Sequence, residues 1–324
     1  MHYTTLGRTG MRVSVAGLGC GGFSRLGLGT GGGEDGAIAI VRQAIELGVN
    51  LFDTASAYGT EAVLGKAIKS VPRDSVVICT KAPFSWSSGR ADPRGIVASL
   101  DESLRRLGTD TIDVYQLHGV PPANYRHTLE QLAPVLLRER DKGKFRFLGI
   151  TETGPHDLPH DTLHRAAQDG VWDVVMVGCS MMHQNARERV FPLTQKHEVG
   201  TLLMFVVRNI FSQPGRLQAT LRELAAAGQV PAGLGETDDP LGFLLHEGGA
   251  SSIVDAAYRY VRHEPGVDVV LFGTGSPAHL KTNIDSLLKP PLPEGDRLKL
   301  GELFGHLVGV GLDAPHLSNP RPKS

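Results

Sequence analysis

Apolar residues along the chain gather in short unbroken runs, and stretches with apolar residues at helical spacing separate one run from the next. A continuous apolar run rich in β-branched residues reads as a strand buried on both faces, and parallel strands of that kind need crossover helices between them. A hairpin pattern over residues 2–14, turning at 7–10, comes first. Eight buried-strand runs follow, over 15–22, 49–55, 76–81, 111–118, 145–152, 172–180, 201–207 and 267–275. Helical patterns come after each in turn, over 34–48, 60–70, 92–108, 128–143, 155–170, 186–200, 251–266 and 276–288. Gly48 and Gly108 stand at helix stop positions, and Asp92–Pro93 opens a helix with a cap and a proline at its first position. Pro134 interrupts the helix over 128–143. Eight strand–helix units predict an α/β fold, a (β/α)8 TIM barrel. Extra helices are expected in the long return after strand seven (211–249, with patterns at 217–228 and 240–249) and near the C-terminus (295–307). No Pro-, Gly- or Ser-rich linker divides the chain, so residues 1–324 are expected to form a single domain.

Composition narrows the function without choosing it. The formal net charge of −1 gives no electrostatic case for nucleic acid or an anionic membrane surface. No apolar run approaches the roughly 18–20 residues of a spanning helix, and the first twenty residues lack the apolar core of a signal peptide. The expectation is a cytoplasmic enzyme acting on a small molecule, as a monomer or small homo-oligomer. Cys20, Cys79 and Cys179 are odd in number and far apart, which reads as free structural thiols. His156, His160 and His164 would share one face of a helix, a spacing that can ligate zinc. Pro155, Pro159 and the flanking aspartates instead suggest an exposed helix start, and no metal site is expected. The cluster Gly27, Gly29 and Gly31 to Gly33 lacks the G-x-G-x-x-G spacing of a dinucleotide fingerprint. It reads as a mobile loop over a site.

Chemistry enters at the ends of three consecutive runs. Asp53 ends the second, Lys81 the third and His118 the fourth, while Tyr58 follows Asp53 by five positions in the next loop. In a closed barrel those ends share one face, and that face carries the active site. Each residue taken singly has a bland reading: a helix-capping aspartate, a packed loop tyrosine, a solvent-facing lysine, a satisfied structural histidine. Together on one rim they argue for catalysis. A free phenol titrates near about 10 and is a weak acid at neutral pH. A nearby ammonium is expected to lower that value, and a carboxylate to keep the ammonium charged and in place. The imidazole can donate to a carbonyl oxygen where negative charge develops. The set protonates a carbonyl oxygen while a nucleophile adds at carbon. With no Ser–His–acid pattern and no metal ligands, hydride from a cofactor is the fitting nucleophile.

The segments NLFDTASAYGTEAVLG, VVICTKAP and DVYQLHG resemble the three signatures of the aldo-keto reductase superfamily, and the resemblance extends over essentially the whole chain. It implies a (β/α)8 barrel with an N-terminal hairpin that uses NADP(H) or NAD(H) to reduce aldehydes and ketones, or the reverse. Carried over residue by residue, it makes Tyr58 the general acid/base, Lys81 and Asp53 its tuning pair, and His118 the residue that orients the substrate oxygen. Members of the family hold the nicotinamide carboxamide with Ser–Asn after strand five and Gln on strand six, and often stack an aromatic ring from strand seven. Here those places hold Thr151, Glu152 and Met176, with Met204 or Phe205 for the stack.

The rest of the cofactor site is read from strand ends. Arg208, after strand seven, is a candidate for the pyrophosphate or for a surface ion pair. The segment 271–283 resembles the family's adenosine-phosphate site, with Gly273, Thr274, Gly275 and Ser276 opening a helix onto an anion. His279 stands where NADP-preferring relatives often place Arg, and Asn283 is kept, so both cofactors stay open. Phe23, Phe84 and Trp86 are candidate pocket aromatics. The leading expectation is an oxidoreductase interconverting a carbonyl (aldehyde, ketone or sugar) and an alcohol. A cofactor-binding regulatory subunit on the same barrel is the alternative, and a hydrolase or isomerase barrel is a more distant one.

Overall fold

A computed structural model of the protein describes residues 1–83 and 92–312. Strands β1 (Tyr3–Thr5) and β2 (Arg12–Ser14) form an antiparallel hairpin. The barrel strands are β3 (Ala16–Gly19), β4 (Leu51–Asp53), β5 (Val77–Pro83), β6 (Ile112–His118), β7 (Phe145–Thr151), β8 (Val174–Gly178), β9 (Gly200–Met204) and β10 (Val269–Phe272). Each pairs in parallel with the next, and β10 returns to β3 through Val270 opposite Ala16 and Phe272 opposite Leu18, closing the (β/α)8 barrel. Every strand but β5, which runs on to Pro83, is shorter than the apolar run that announced it, because apolar residues just beyond the ladder still line the core.

The core has two layers. Inside the barrel, Leu51, Val77, Cys79, Val114, Val174, Met176, Leu202 and Val269 pack together, joined from below by Leu6, Met11 and Val13 of the hairpin segment. The hairpin therefore plugs the N-terminal mouth and leaves the opposite mouth for chemistry. Outside, the helices bury their apolar stripes on the outward faces of the strands, with Tyr115, Trp172 and Phe52 fully enclosed. All three cysteines are buried and free, as expected for structural thiols, and burial pushes Cys179 up to about 12.

Three local expectations need correction. The helix expected over 155–170 forms only at Asp161–Ala166, because His160 takes a left-handed conformation at φ 57° and Gly154–His156 makes a separate 3-10 turn. The three histidines 156, 160 and 164 therefore share no helix face, and His160 is buried, not exposed. The helix expected over 186–200 breaks into Ala186–Arg189 and Phe191–Lys196, where Pro192 removes a backbone donor. In the long return, Arg216–Ala226 is helical, but 240–249 yields only the turn Gly242–Leu244. The glycine cluster, expected to be a mobile loop over a site, forms turns over Arg25–Thr30, with Leu26 buried. Pro134 interrupts its helix as expected, through one wide turn at Thr128–Leu132 before Ala133–Asp141. No helix among the described residues is long and apolar enough to cross a membrane.

The outer layer depends on close backbone approach at Gly65, in the helix Glu61–Ile68. A Cβ there would lie 2.3 Å from the carbonyl oxygen of Leu107, at the end of the helix Pro93–Leu107. Alanine is the better helix former by ~1 kcal/mol, but overpacking against a fixed carbonyl outweighs that gain. Gly65→Ala is expected to destabilise the fold by ~2 kcal/mol in urea unfolding, and a stabilised variant would contradict this packing.

Candidate active site

The four ionisable residues converge above the C-terminal mouth. In the ladder, Asp53 lies opposite Cys79 and Lys81 opposite Gln116, so the inward side chains of β4, β5 and β6 stack on neighbouring levels. Lys81 is fully buried, and its ammonium donates to both oxygens of Asp53, at 2.6 and 2.7 Å, and to the carbonyl of Thr54 at 2.8 Å. The Gln116 amide reaches the same carboxylate at 3.4 Å. Gln116 escaped the sequence reading, although its place two residues before His118 puts it on the same face of β6. Room for it comes from Gly149 on β7, where a Cβ would sit 2.7 Å from Gln116 Cγ.

Tyr58 ends a 3-10 turn, Ser56–Tyr58, followed by the left-handed Gly59. A hydrogen bond between the Thr54 and Thr60 hydroxyls pins the base of this loop, and Ser56 Oγ donates to the carbonyl of Lys81. Gly21 leaves the ring its space, since a Cβ there would lie 2.5 Å from the phenol. The Tyr58 hydroxyl comes to 3.3 Å from His118 Nε2, with the two rings edge-on, and Lys81 Nζ stands 5.2 Å from the phenol centroid.

The electrostatics overturn one expectation. Burial raises the Tyr58 phenol above its ordinary value; the Lys81 charge lowers it, Asp53 raises it again, and Arg208 contributes a smaller lowering. The net direction is upward. Burial is the largest cause, and Asp53, lying against Lys81, also opposes the lowering by the ammonium. Burial alone would pull the Lys81 ammonium down, but Asp53 and Tyr58 hold it above its ordinary value, so it stays charged.

The proposed cofactor residues lie around the same mouth but are not alike. Thr151 is buried, and its hydroxyl accepts the Gly119 amide at 2.6 Å, a bond between strand ends. Met176 lies in the barrel interior layer, not on a surface. Strand seven ends at Met204, and Phe205 turns left-handed at φ 66°. Its ring covers Gly154 and Gly178, where Cβ atoms would lie 2.7 and 3.0 Å from ring carbons. Arg208 stands 4.8 Å from the Phe205 ring and 5.0 Å from that of Phe23, bridging the loops after β9 and β3. Phe84 and Trp86 lie outside the described residues.

Two features fit a dinucleotide. The first is the helix Pro277–Leu288, which opens after Gly273, Thr274 and Gly275 with Ser276 as its cap and no acidic residue in its first turn. His279 is exposed on that turn and Asn283 lies a turn further on, half-buried. Gly275 touches the backbone of Gly27, so the glycine turns of residues 25–30 wall one side of this opening. The second is the Thr153 hydroxyl beside Gly154, buried and without a hydrogen-bond partner among the described residues.

Glu152 lies deeper than a surface ligand would. Its carboxylate takes the Gly178 amide at 2.6 Å and His160 Nδ1 at 2.7 Å. His183 stacks on His160 at 4.9 Å, and its Nδ1 accepts the Gly309 amide. No group of three or more metal-ligating side chains occurs among the described residues.

Residues 18–299 match the model of the aldo/keto reductase family. The chain belongs to this family. Among its relatives, an aldo-keto reductase of Bacillus subtilis is 28% identical over 301 residues, covering 87% of each chain. L-galactose dehydrogenase of Arabidopsis thaliana is 36% identical over 185 residues, 54% of this chain and 55% of that protein. Among solved structures, an aldo-keto reductase from Bacillus halodurans in its holo form superimposes with a TM-score of 0.71 at 25% identity, covering 94% of this chain and 96% of that one. Family membership agrees with the closed eight-stranded barrel.

Two titrations probe this geometry. Ultraviolet difference titration of the free protein against Tyr58→Phe is expected to show the Tyr58 phenol ionising above the usual tyrosine value; a phenolate near neutrality would contradict the charge balance described. Burial, then the charge of His160, pushes His183 down from 6.5 to about 3. Its neutral form is native, so its contribution is present above 6.5 and lost as pH falls toward 3. The slope is ~1.4 kcal/mol per pH unit. His183→Asn, which keeps an acceptor for Gly309, is expected to flatten that part of the acid-unfolding curve.

Proposed function

We propose that the chain is a nicotinamide-dependent oxidoreductase that interconverts a carbonyl compound and an alcohol, with Tyr58 as general acid/base. The observation that carries this reading is the Tyr58 hydroxyl at 3.3 Å from His118 Nε2, backed by the buried Lys81–Asp53 pair. A carbonyl oxygen placed between phenol and imidazole meets donors on two sides. A bound NADP(H) or NAD(H) supplies or accepts the hydride. As charge develops on the oxygen, Tyr58 gives up its proton, His118 orients the oxygen, and the phenolate left behind faces the Lys81 charge. Because burial keeps the phenol protonated at neutral pH, the resting enzyme is ready for reduction. Oxidation of the alcohol needs the phenolate, and its rate rises with pH.

Phe205, Arg208 and the helix opening at Gly273–Ser276 would hold the cofactor along the rim. Thr153 offers an unmet hydroxyl near the nicotinamide end, and exposed His279 lies near the adenosine end. The likeness to L-galactose dehydrogenase supports aldoses in the substrate panel beside simple aldehydes and ketones.

Turnover with such a panel, followed at the nicotinamide absorbance with NADPH and NADH, tests the reading. Tyr58→Phe is expected to lower kcat by about 10²–10⁴-fold while cofactor still binds; undiminished turnover refutes the role. Lys81→Met is expected to lose activity too, and to destabilise the fold by ~3–5 kcal/mol by leaving Asp53 buried without its partner.

A further inference from the structure

We propose that Glu152 and His160 form a buried ion pair that positions Phe205 as the aromatic seat of the nicotinamide ring. The inference rests on the reading above, that a nicotinamide cofactor occupies this rim.

The hydrogen-bond pattern sets the protonation. Asn185 donates through Nδ2 to the carbonyl of Leu158 at 2.8 Å, which turns its Oδ1 toward His160 Nε2 at 3.1 Å. An acceptor there requires an N–H on Nε2. On the other side, Nδ1 faces Glu152 at 2.7 Å, and the second carboxylate oxygen already accepts the Gly178 amide. The arrangement is an imidazolium against a carboxylate, both within the fold at 0% and 4% exposure. Two further groups face it. Asp157 is buried, its oxygens taking the amides of Asp161 and Thr162, and His183 lies against the ring. Burial pulls His160 down while Glu152 pulls it up, for a net upward direction; burial also raises Glu152 against the lowering by His160, so the assignment of the charged pair rests on the hydrogen-bond pattern.

From this pair a chain of contacts leads to Phe205. Glu152 holds the Gly178 amide at the end of β8. The next residue, Cys179, donates its amide to the carbonyl of Met204 at the end of β9. Phe205 follows at once, left-handed, and lays its ring on Gly178 and Gly154. Five non-glycine residues among those described have positive φ, and His160 and Phe205 stand at the two ends of this chain. Strain of that kind persists only where surrounding contacts impose it. Glu152 is buried with a partner on each oxygen, and its proposed action on the cofactor runs through Phe205.

The test is a double-mutant cycle on cofactor affinity, with NADPH and NADH titrated by nicotinamide fluorescence. Glu152→Gln keeps the side-chain shape and removes the charge. It is expected to raise the cofactor Kd by about five- to tenfold, with kcat at saturating cofactor changed by less than about twofold. In a Phe205→Ala background the same substitution is expected to change Kd by less than about twofold. Equal effects in both backgrounds overturn the positioning role. Should Glu152→Gln fail to fold, His160→Gln carries the same cycle. Nitrogen NMR of the free protein reads the pair by itself: both His160 nitrogens protonated across the neutral range support it, and a single N–H overturns it. If the unmodified chain binds neither NADPH nor NADH, the functional reading falls and the seat with it, whereas the NMR result still decides the ion pair.

Discussion

The rim of this barrel is organised by one interaction, the ammonium of Lys81 held by both oxygens of Asp53 and the carbonyl of Thr54. Neither charge is tolerable alone in so buried a site, so each fixes the other. The constraint spreads outward. Ser56 bonds to the backbone of Lys81, the Thr54–Thr60 bond closes the loop, and Tyr58 is left with one place to stand, against Gly21 and beside His118. Gln116 occupies the remaining side of the carboxylate, in space that Gly149 leaves empty.

Burial, with the pair modifying it, holds the phenol above its ordinary value in the free protein. A lone lysine would lower it strongly, but a lysine neutralised by its own aspartate leaves burial as the larger effect. For the proposed reduction this is a useful balance. The donor keeps its proton until charge appears on the substrate oxygen, and the ammonium is already in position to face the phenolate. Preorganised charge of this sort requires no reorganisation at the moment of transfer.

At the other end of the rim a second buried pair, Glu152 with His160, ties β7 to β8 and reaches Phe205 through backbone bonds. The two pairs share a logic: opposite charges hidden together fix the ends of neighbouring strands, and an aromatic side chain is presented from the loop beyond. In the first case the aromatic carries a proton; in the second it offers a flat apolar face.

Much of this was legible in the chain itself. Eight apolar runs separated by helical patterns determine a closed parallel barrel, because parallel strands need crossovers and eight of them close. Asp53, Lys81 and His118 were visible because each ends a run, and runs in a barrel point the same way. What lay hidden depends on contacts between distant segments. The split of the helix expected over 155–170 follows from His160 turning left-handed to reach Glu152, a choice made by tertiary partners against local propensity. The upward direction of the Tyr58 phenol follows from its burial, with Asp53 opposing the Lys81 charge, and no spacing encodes either. Gln116 was in plain view, yet only the gap at Gly149 on the adjoining strand reveals its place beside Asp53. Periodicity fixes which elements form and which way they run; burial and charge pairing across the closed barrel decide what their end residues can do.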